Sequence, residues 1–221
     1  MRRNIFLKSL AALLLFSFAP LFGADVSEAP IRIACVGDSI TFGAGIKDRD
    51  TNSYPAQLQV LLGDGYQVRN FGVSGATLLK QGNKPYWQLK AFANARASQP
   101  DLVIIKLGTN DSKPRNWKHA DQFKDNYVEL IEIFQQLDSQ PTVVICRPAP
   151  VFATRWGISS QTVVEEVIPL IDAIAQATGV KVVDLYAPLA DKEELLPDKI
   201  HPNAEGAGVI ARTLKPVVEA M

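Results

Sequence analysis

The chain alternates five times between a short, apolar, β-branched run and a longer amphipathic run, and this alternation constrains its fold most strongly. The apolar runs have the length and composition of buried strands, and the longer runs have helical spacing. The predicted strands are 31–36, 66–70, 101–107, 142–146 and 180–185. The predicted helices are 53–62, 86–98, 120–137, 162–177 and 203–219.

Strands that are joined through helices run parallel, with the helices on both faces of the sheet. We therefore predict an α/β fold, a three-layer α/β/α sandwich with a five-stranded parallel sheet in the flavodoxin-like order 2-1-3-4-5. In this order the carboxyl ends of the first three strands lie side by side. The segments that follow them, 37–39, 71–75 and 108–111, should then converge on one rim of the sheet.

The composition fits one globular domain after a leader segment. The chain has 221 residues, of which 47% are hydrophobic and 21% charged, enough to bury a large core. Lys+Arg and Asp+Glu both number 23, so no excess charge favours nucleic acid or an anionic membrane as a partner. We predict a signal peptide at 1–24 and a single domain at 25–221. The sequence does not indicate an oligomeric state.

The leader has the three parts of a secretory signal peptide. Arg2, Arg3 and Lys8 precede the apolar stretch 10–22, and small residues follow at 23–24. General export, twin-arginine export and an uncleaved anchor all remain open. We expect an exported protein, periplasmic or extracellular, without stable membrane insertion once the signal is removed.

Two cysteines are expected to be buried thiols without a catalytic role. Cys35 lies in the first predicted strand and Cys146 in the fourth. The third strand separates them in the predicted order, which puts them about 9–10 Å apart. A disulfide needs Cα atoms closer than about 7 Å, so we predict none.

Ser39 is the first candidate nucleophile, because it follows the first strand at the edge where open α/β sheets bind ligands. A serine nucleophile needs a base, usually histidine, and a carboxylate that orients the base. The chain has two histidines. His201 follows Asp198 by three residues, which favours it as the base, whereas His119 is typical of an exposed helix start.

Three donors could stabilise an oxyanion on the same rim. They are the backbone N–H groups of Ser39 and Gly72 and the side-chain amide of Asn110. Ser74 is a competing nucleophile, because 72–76 nearly matches the Gly-x-Ser-x-Gly elbow. A glycine-containing loop follows Ser74 instead of a helix, which disfavours it.

Taken in order, the four blocks Gly-Asp-Ser, Gly, Gly-x-Asn-Asp and Asp-x-x-His resemble the SGNH (GDSL) hydrolase superfamily over the whole chain after the leader. The resemblance implies the SGNH hydrolase fold and a serine esterase that acts through an acyl-enzyme. It implies Ser39 as nucleophile, His201 as base and Asp198 as its partner. It also implies an oxyanion hole of Ser39, Gly72 and Asn110. Zinc and P-loop motifs are absent, and we expect no metal and no cofactor.

The substrate is expected to be a small-molecule or oligosaccharide ester. Loops at the strand ends carry Trp117, Arg147 and Trp156, whose rings and charge suit a sugar. The segments 108–117 and 155–159 resemble exported bacterial carbohydrate O-acetylesterases, including sialate and xylan acetylesterases. We therefore expect removal of O-acetyl groups from carbohydrates. The alternatives are a lysophospholipase or thioesterase, and a non-catalytic flavodoxin-like binding module.

Overall fold

The computed structural model describes residues 29–221, and the predicted signal peptide at 1–24 lies outside the described residues. A five-stranded parallel sheet forms the centre of this region, in the order β2-β1-β3-β4-β5, which confirms the predicted fold class and strand order. The strands are β1 (Ile31–Gly37), β2 (Tyr66–Gly72), β3 (Leu102–Lys106), β4 (Thr142–Arg147) and β5 (Lys181–Asp184).

The connections between the strands are helical, as the sequence pattern predicts. The helices are α1 (Ser39–Phe42), α2 (Arg49–Asn52), α3 (Tyr54–Leu62), α4 (Lys90–Ala97), α5 (Pro114–Trp117), α6 (Phe123–Gln135), α7 (Ser160–Thr162), α8 (Ile168–Thr178) and α9 (Ala204–Glu219). Short 3-10 turns precede α4 and α6, and a π-helical turn joins α7 to α8. Within residues 29–221, no helix combines the length and the apolar character that a membrane crossing needs.

Helices cover both faces of the sheet because successive strand residues point to opposite sides. In β1, Ala34 and Val36 pack in a cluster that contains residues of α4, α6 and α8. Ile33 and Cys35 pack in a second cluster with residues of α3 and α9. A sheet that is buried on both faces needs strands that are apolar throughout, which explains the continuous runs in the sequence.

The two cysteines are buried and free, as predicted. Cys35 lies in β1 and Cys146 in β4, and β3 runs between these strands. Burial raises the pKa of Cys146 to about 12 and also raises the pKa of Cys35. Both thiols therefore stay protonated at neutral pH and act as small apolar side chains.

A buried ion pair links the carboxyl ends of the two central strands. Gly37 at the end of β1 pairs with Lys106 at the end of β3, so these strands end at the same level. The Lys106 ammonium lies 2.9 and 3.1 Å from the two Asp38 carboxylate oxygens and 2.8 Å from the Thr109 hydroxyl. Both charged side chains are fully buried. Each charge therefore depends on the other for its compensation.

We expect Lys106→Met to lower the free energy of unfolding by about 3–5 kcal/mol, because it leaves the Asp38 charge buried without a partner. Urea denaturation measures this change. Arg32→Met is the matched control, since Arg32 pairs with Asp101 at the opposite end of the same strands with both side chains about 40% exposed. The control should lose no more than about 1 kcal/mol. Equal losses in the two variants would contradict the prediction.

Candidate active site

Ser39 is the first residue of α1, directly after β1. The Asp38 carboxylate caps this helix by accepting the Ile40 N–H at 3.0 Å, and α1 ends after one turn at Gly43. The sequence pattern did not predict so short a helix. Because Asp38 also binds Lys106, the turn that carries Ser39 is fixed to the end of β3.

Ser39, His201 and Asp198 form a continuous hydrogen-bonded chain. The His201 Nε2 atom lies 2.8 Å from Ser39 Oγ, and the His201 Nδ1 atom lies 2.7 Å from Asp198 Oδ2. With the Nδ1 proton directed at the carboxylate, Nε2 is the nitrogen that can accept the serine proton. The predicted nucleophile, base and orienting carboxylate therefore lie together in the geometry that acyl transfer requires.

The Asp198 carboxylate is held by the backbone of its own turn. Its Oδ1 atom accepts the N–H groups of His201 at 2.7 Å and Ile200 at 3.0 Å. Burial pushes the pKa of Asp198 upward, but these bonds and the His201 ring outweigh it, so the pKa lies below its usual range. Asp198 therefore remains ionised and can stabilise a protonated imidazole.

Neighbouring elements fix the turn that carries His201. Asn203 caps α9 by accepting the Gly206 N–H at 2.9 Å. The Lys199 carbonyl accepts the Phe152 N–H at 2.9 Å, which joins this turn to the loop after β4. His119 lies at the start of a 3-10 turn, and within residues 29–221 its ring contacts neither Ser39 nor Ser74 through a hydrogen bond.

Two of the predicted oxyanion donors lie at the site. Ser39 and Asn110 both line the same pocket. The Asn110 Nδ2 atom donates one hydrogen to the Ala76 carbonyl at 3.1 Å, which orients the amide and leaves its second hydrogen for a ligand. The Ser39 backbone N–H has no acceptor among the hydrogen bonds of residues 29–221.

Gly75 differs from Gly72, the predicted third donor, in its hydrogen bonding and in its position at the pocket. The Gly72 N–H already donates to Asn70 Oδ1 at 2.9 Å, and Gly72 does not line the pocket. Position 72 needs a glycine for packing, because a Cβ atom on this residue would lie 2.2 Å from the backbone nitrogen of Phe42. Gly75 lines the pocket with a φ of +82°, and its N–H has no acceptor in the described part of the chain. Gly75 is therefore a better candidate than Gly72 for the third donor.

The pocket at Ser39 is small and open, with a volume of about 240 Å³. A cleft of about 530 Å³ lies beside Arg69 and Asn94, but it contains none of the three residues of the hydrogen-bonded chain. The residues that line the Ser39 pocket are Ser39, Ala44, Ser74, Gly75, Asn110, Lys113, Trp156, Ile158 and His201. Four lining residues were not predicted as site residues from the sequence, because their positions in the pocket depend on how the loops fold: Ala44, Gly75, Lys113 and Ile158.

Trp156 is the one of the three predicted substrate-binding residues that lines the pocket. Its ring centre lies 5.6 Å from that of His201, and the Arg155 guanidinium stacks on its indole at 4.4 Å. The backbone of Trp156 is left-handed, with a φ of +53°, in a tight turn closed by a bridge between Arg155 and Ile158. This turn forms one wall of the pocket.

Trp117 and Arg147 lie away from the pocket lining. The Trp117 indole donates to Glu166 at 2.7 Å and its ring packs against Phe123. Arg147 is bound by two carboxylates, Asp172 at 2.8 and 2.9 Å and Asp184 at 2.9 Å. In the structure both side chains connect secondary-structure elements.

Similar proteins share the fold and parts of the sequence. The chain is 39% identical over 210 residues to an acetylxylan esterase from Xylanibacter ruminicola, an alignment that covers 87% of this chain and 44% of the relative. The chain therefore spans less than half the length of that protein. Est24, a carbohydrate acetylesterase from Sinorhizobium meliloti, has a similar structure, with a TM-score of 0.70, 20% identity, and coverage of 86% and 98% of the two chains.

An aryl esterase from M. smegmatis superposes comparably, with a TM-score of 0.67, 21% identity, and coverage of 86% of this chain and 98% of that one. At these identities the two structures show a common fold. The family model for the GDSL-like lipase/acylhydrolase family matches residues 35–209, which include the whole site from Ser39 to His201. This chain therefore belongs to the GDSL-like lipase/acylhydrolase family.

Proposed function

We propose that the chain is a serine hydrolase of carboxylic esters, with Ser39 as nucleophile, His201 as general base and Asp198 as the group that orients it. The hydrogen bonds of 2.8 Å between Ser39 and His201 and 2.7 Å between His201 and Asp198 carry this proposal. They lie at an open pocket, so a substrate carbonyl has access to Ser39 Oγ. This is the arrangement that nucleophilic acyl transfer needs.

The reaction proceeds in two steps. Ser39 Oγ attacks the ester carbonyl while His201 Nε2 takes its proton, and a tetrahedral oxyanion forms. The N–H groups of Ser39 and Gly75 and the amide of Asn110 donate hydrogen bonds to that oxygen. The intermediate collapses to an acyl-enzyme as His201 protonates the departing alcohol. Water, deprotonated by His201, then attacks the acyl carbonyl and releases the carboxylic acid and Ser39.

The substrate that we propose is an O-acetylated carbohydrate. A pocket of about 240 Å³ that is open to solvent suits a short acyl group together with the nearest part of the alcohol. The exposed ring of Trp156 at its edge offers a surface for the apolar face of a sugar. The name of the acetylxylan esterase relative supports the same substrate class.

We also propose that the chain is exported, with residues 1–24 as the signal peptide and 25–221 as one mature domain. Three basic residues and an apolar run in the leader support this assignment. An acetylated polysaccharide outside the cell is a substrate that an exported enzyme can reach.

Ser39→Ala should lower kcat/KM for 4-nitrophenyl acetate by at least about a thousandfold, because it removes the attacking oxygen. Ser74→Ala is the matched control. Ser74 also lines the pocket, but no imidazole contacts its hydroxyl within residues 29–221. We expect the control to retain most of the activity. Full activity in Ser39→Ala would exclude Ser39 as the nucleophile.

Asn110→Ala should lower kcat by about 10²–10³ with little change in KM, because an oxyanion donor acts mainly in the transition state. Asn126→Ala is the control, since the buried Asn126 side chain also binds a backbone group, the Lys80 N–H, but lies outside the pocket. Steady-state kinetics with 4-nitrophenyl acetate compare the two. Similar losses of kcat in both variants would point to a structural role for Asn110.

Activity should fall with acyl length, by at least about tenfold in kcat/KM from 4-nitrophenyl acetate to the octanoate, because a pocket of this size that opens to solvent leaves part of a long chain exposed to water. Release of acetate from acetylated xylan tests the natural substrate class. The reverse trend with chain length would favour a lysophospholipase or thioesterase.

Labelling by a fluorophosphonate should occur at Ser39, and absence of labelling would favour a binding module without catalysis.

A further inference from the structure

Lys113 places a positive charge without a partner in the lining of the Ser39 pocket. Only 9% of its surface is exposed, and its aliphatic stem packs against the Trp156 turn, where a Cβ atom on Gly157 would lie 3.7 Å from its Cγ. Among residues 29–221, no hydrogen bond or ion pair engages its ammonium group. The stem is largely covered, but the ammonium keeps contact with solvent, because within the described residues no fully buried side-chain nitrogen or oxygen lacks a hydrogen-bond partner. A cation in a pocket lining with no carboxylate bound to it is available to a ligand.

The carboxylates nearest to Lys113 are already occupied by other donors. Asp38 binds Lys106 through both of its oxygens. Asp111 accepts the backbone N–H groups of Leu78 and Leu79, at 3.0 and 2.8 Å. The two acids whose charges act on Lys113 are therefore bound by other donors, and its ammonium is left without a direct ion-pair partner among the described residues.

Further cations lie around the same opening. Lys84 donates to the carbonyl of the pocket residue Ser74 at 2.9 Å. Arg155 stacks on Trp156, and Arg115 lies close enough to Lys113 that its charge, after burial, lowers the pKa of that ammonium. Within the described part of the chain, none of these cations forms an ion pair with a carboxylate. The whole chain has equal numbers of basic and acidic residues, 23 of each, so this excess is local.

We propose that Lys113 forms a subsite for a carboxylate carried by the ester substrate, so that the preferred substrates are acyl esters that bear a negative charge close to the scissile bond. The inference rests on the proposed ester hydrolysis and specifies its substrate class. The ammonium donates a charge-assisted hydrogen bond to the carboxylate. Lys84 and Arg155 add attraction at the mouth of the pocket, which raises the local concentration of anionic esters.

The carboxylate can belong to the alcohol half of the ester, as in an acetylated uronic acid, or to the acyl half. Two matched pairs of substrates separate these cases. O-acetyl glucuronate against O-acetyl glucose places the charge on the alcohol, with released acetate as the readout. 4-Nitrophenyl hemisuccinate against 4-nitrophenyl butyrate, whose acyl chain has the same four carbons, places it on the acyl group.

We expect kcat/KM to favour the charged member of at least one pair by roughly 10- to 100-fold, the size of a charge-assisted hydrogen bond. Lys113→Met, which keeps most of the stem, should bring that ratio close to one, and Lys113→Arg should keep most of it. Lys181→Met is the control, because Lys181 is an exposed lysine at the amino end of β5, and it should leave the ratio unchanged. A wild-type preference for the neutral esters, or the same ratio in Lys113→Met as in the wild type, would overturn the proposal.

A binding measurement separates this proposal from the proposed reaction. If the wild type hydrolyses no ester, the reaction is wrong, and calorimetric titration with glucuronate and with glucose still tests the subsite. Glucuronate should bind the wild type more tightly than glucose does, and Lys113→Met should remove that difference; equal binding of both sugars to the wild type would overturn the subsite.

Thermal unfolding distinguishes a subsite from a structural role. Lys113→Met should melt close to the wild-type temperature, because the variant keeps the packing of the stem and the ammonium has no ion-pair partner to lose. A lower melting temperature together with an unchanged substrate ratio would assign Lys113 to packing and overturn the proposal.

Discussion

The buried ion pair between Asp38 and Lys106 is the interaction on which the site depends. It fastens the end of β1 to the end of β3 at the point where both strands stop pairing. Ser39 follows the first of these residues and Asn110 follows the second by four positions. A buried pair of this kind adds little net stability compared with apolar side chains, but breaking it is costly. Its contribution here is geometric, because it fixes the positions of Ser39 and Asn110 relative to each other.

The fold could be predicted because its signals are local and repeated. Each strand is an apolar run, each long helix has one apolar face, and parallel connection follows from their alternation. The boundaries that differ are those set by tertiary contacts. The single turn of α1 has too few residues for a periodic pattern, and its cap, Asp38, is shared with Lys106 on another strand. The local sequence around 39–42 gives no sign of the contact between Asp38 and Lys106.

The site was predictable only in part, for the same reason. Ser39, Asp198 and His201 belong to short blocks whose chemistry is visible in sequence, and they meet where the strand order brings them together. The sequence predicts Gly72 as a donor, although Gly75 follows in the same segment after β2. The two differ because the Asn70 side chain accepts the Gly72 N–H, whereas the fold of the following loop places Gly75 in the pocket lining. Arg147 looks free in the sequence, and only the approach of α8 and β5 gives it two acidic partners.

Lys106 and Lys113 show how the same side chain serves two purposes within one segment of the chain. Lys106 is fully buried and compensated, and it makes the end of the sheet rigid. Lys113 has a largely covered stem, but its ammonium reaches solvent and lacks an ion-pair partner in the described residues, and the neighbouring acids are held by other donors. A cation whose stem is held in place beside a nucleophile favours substrates that bring a negative charge, since less side-chain freedom is lost on binding. Substrate selectivity at this site therefore follows from the positive charge of Lys113, for which the described residues supply no ion-pair partner.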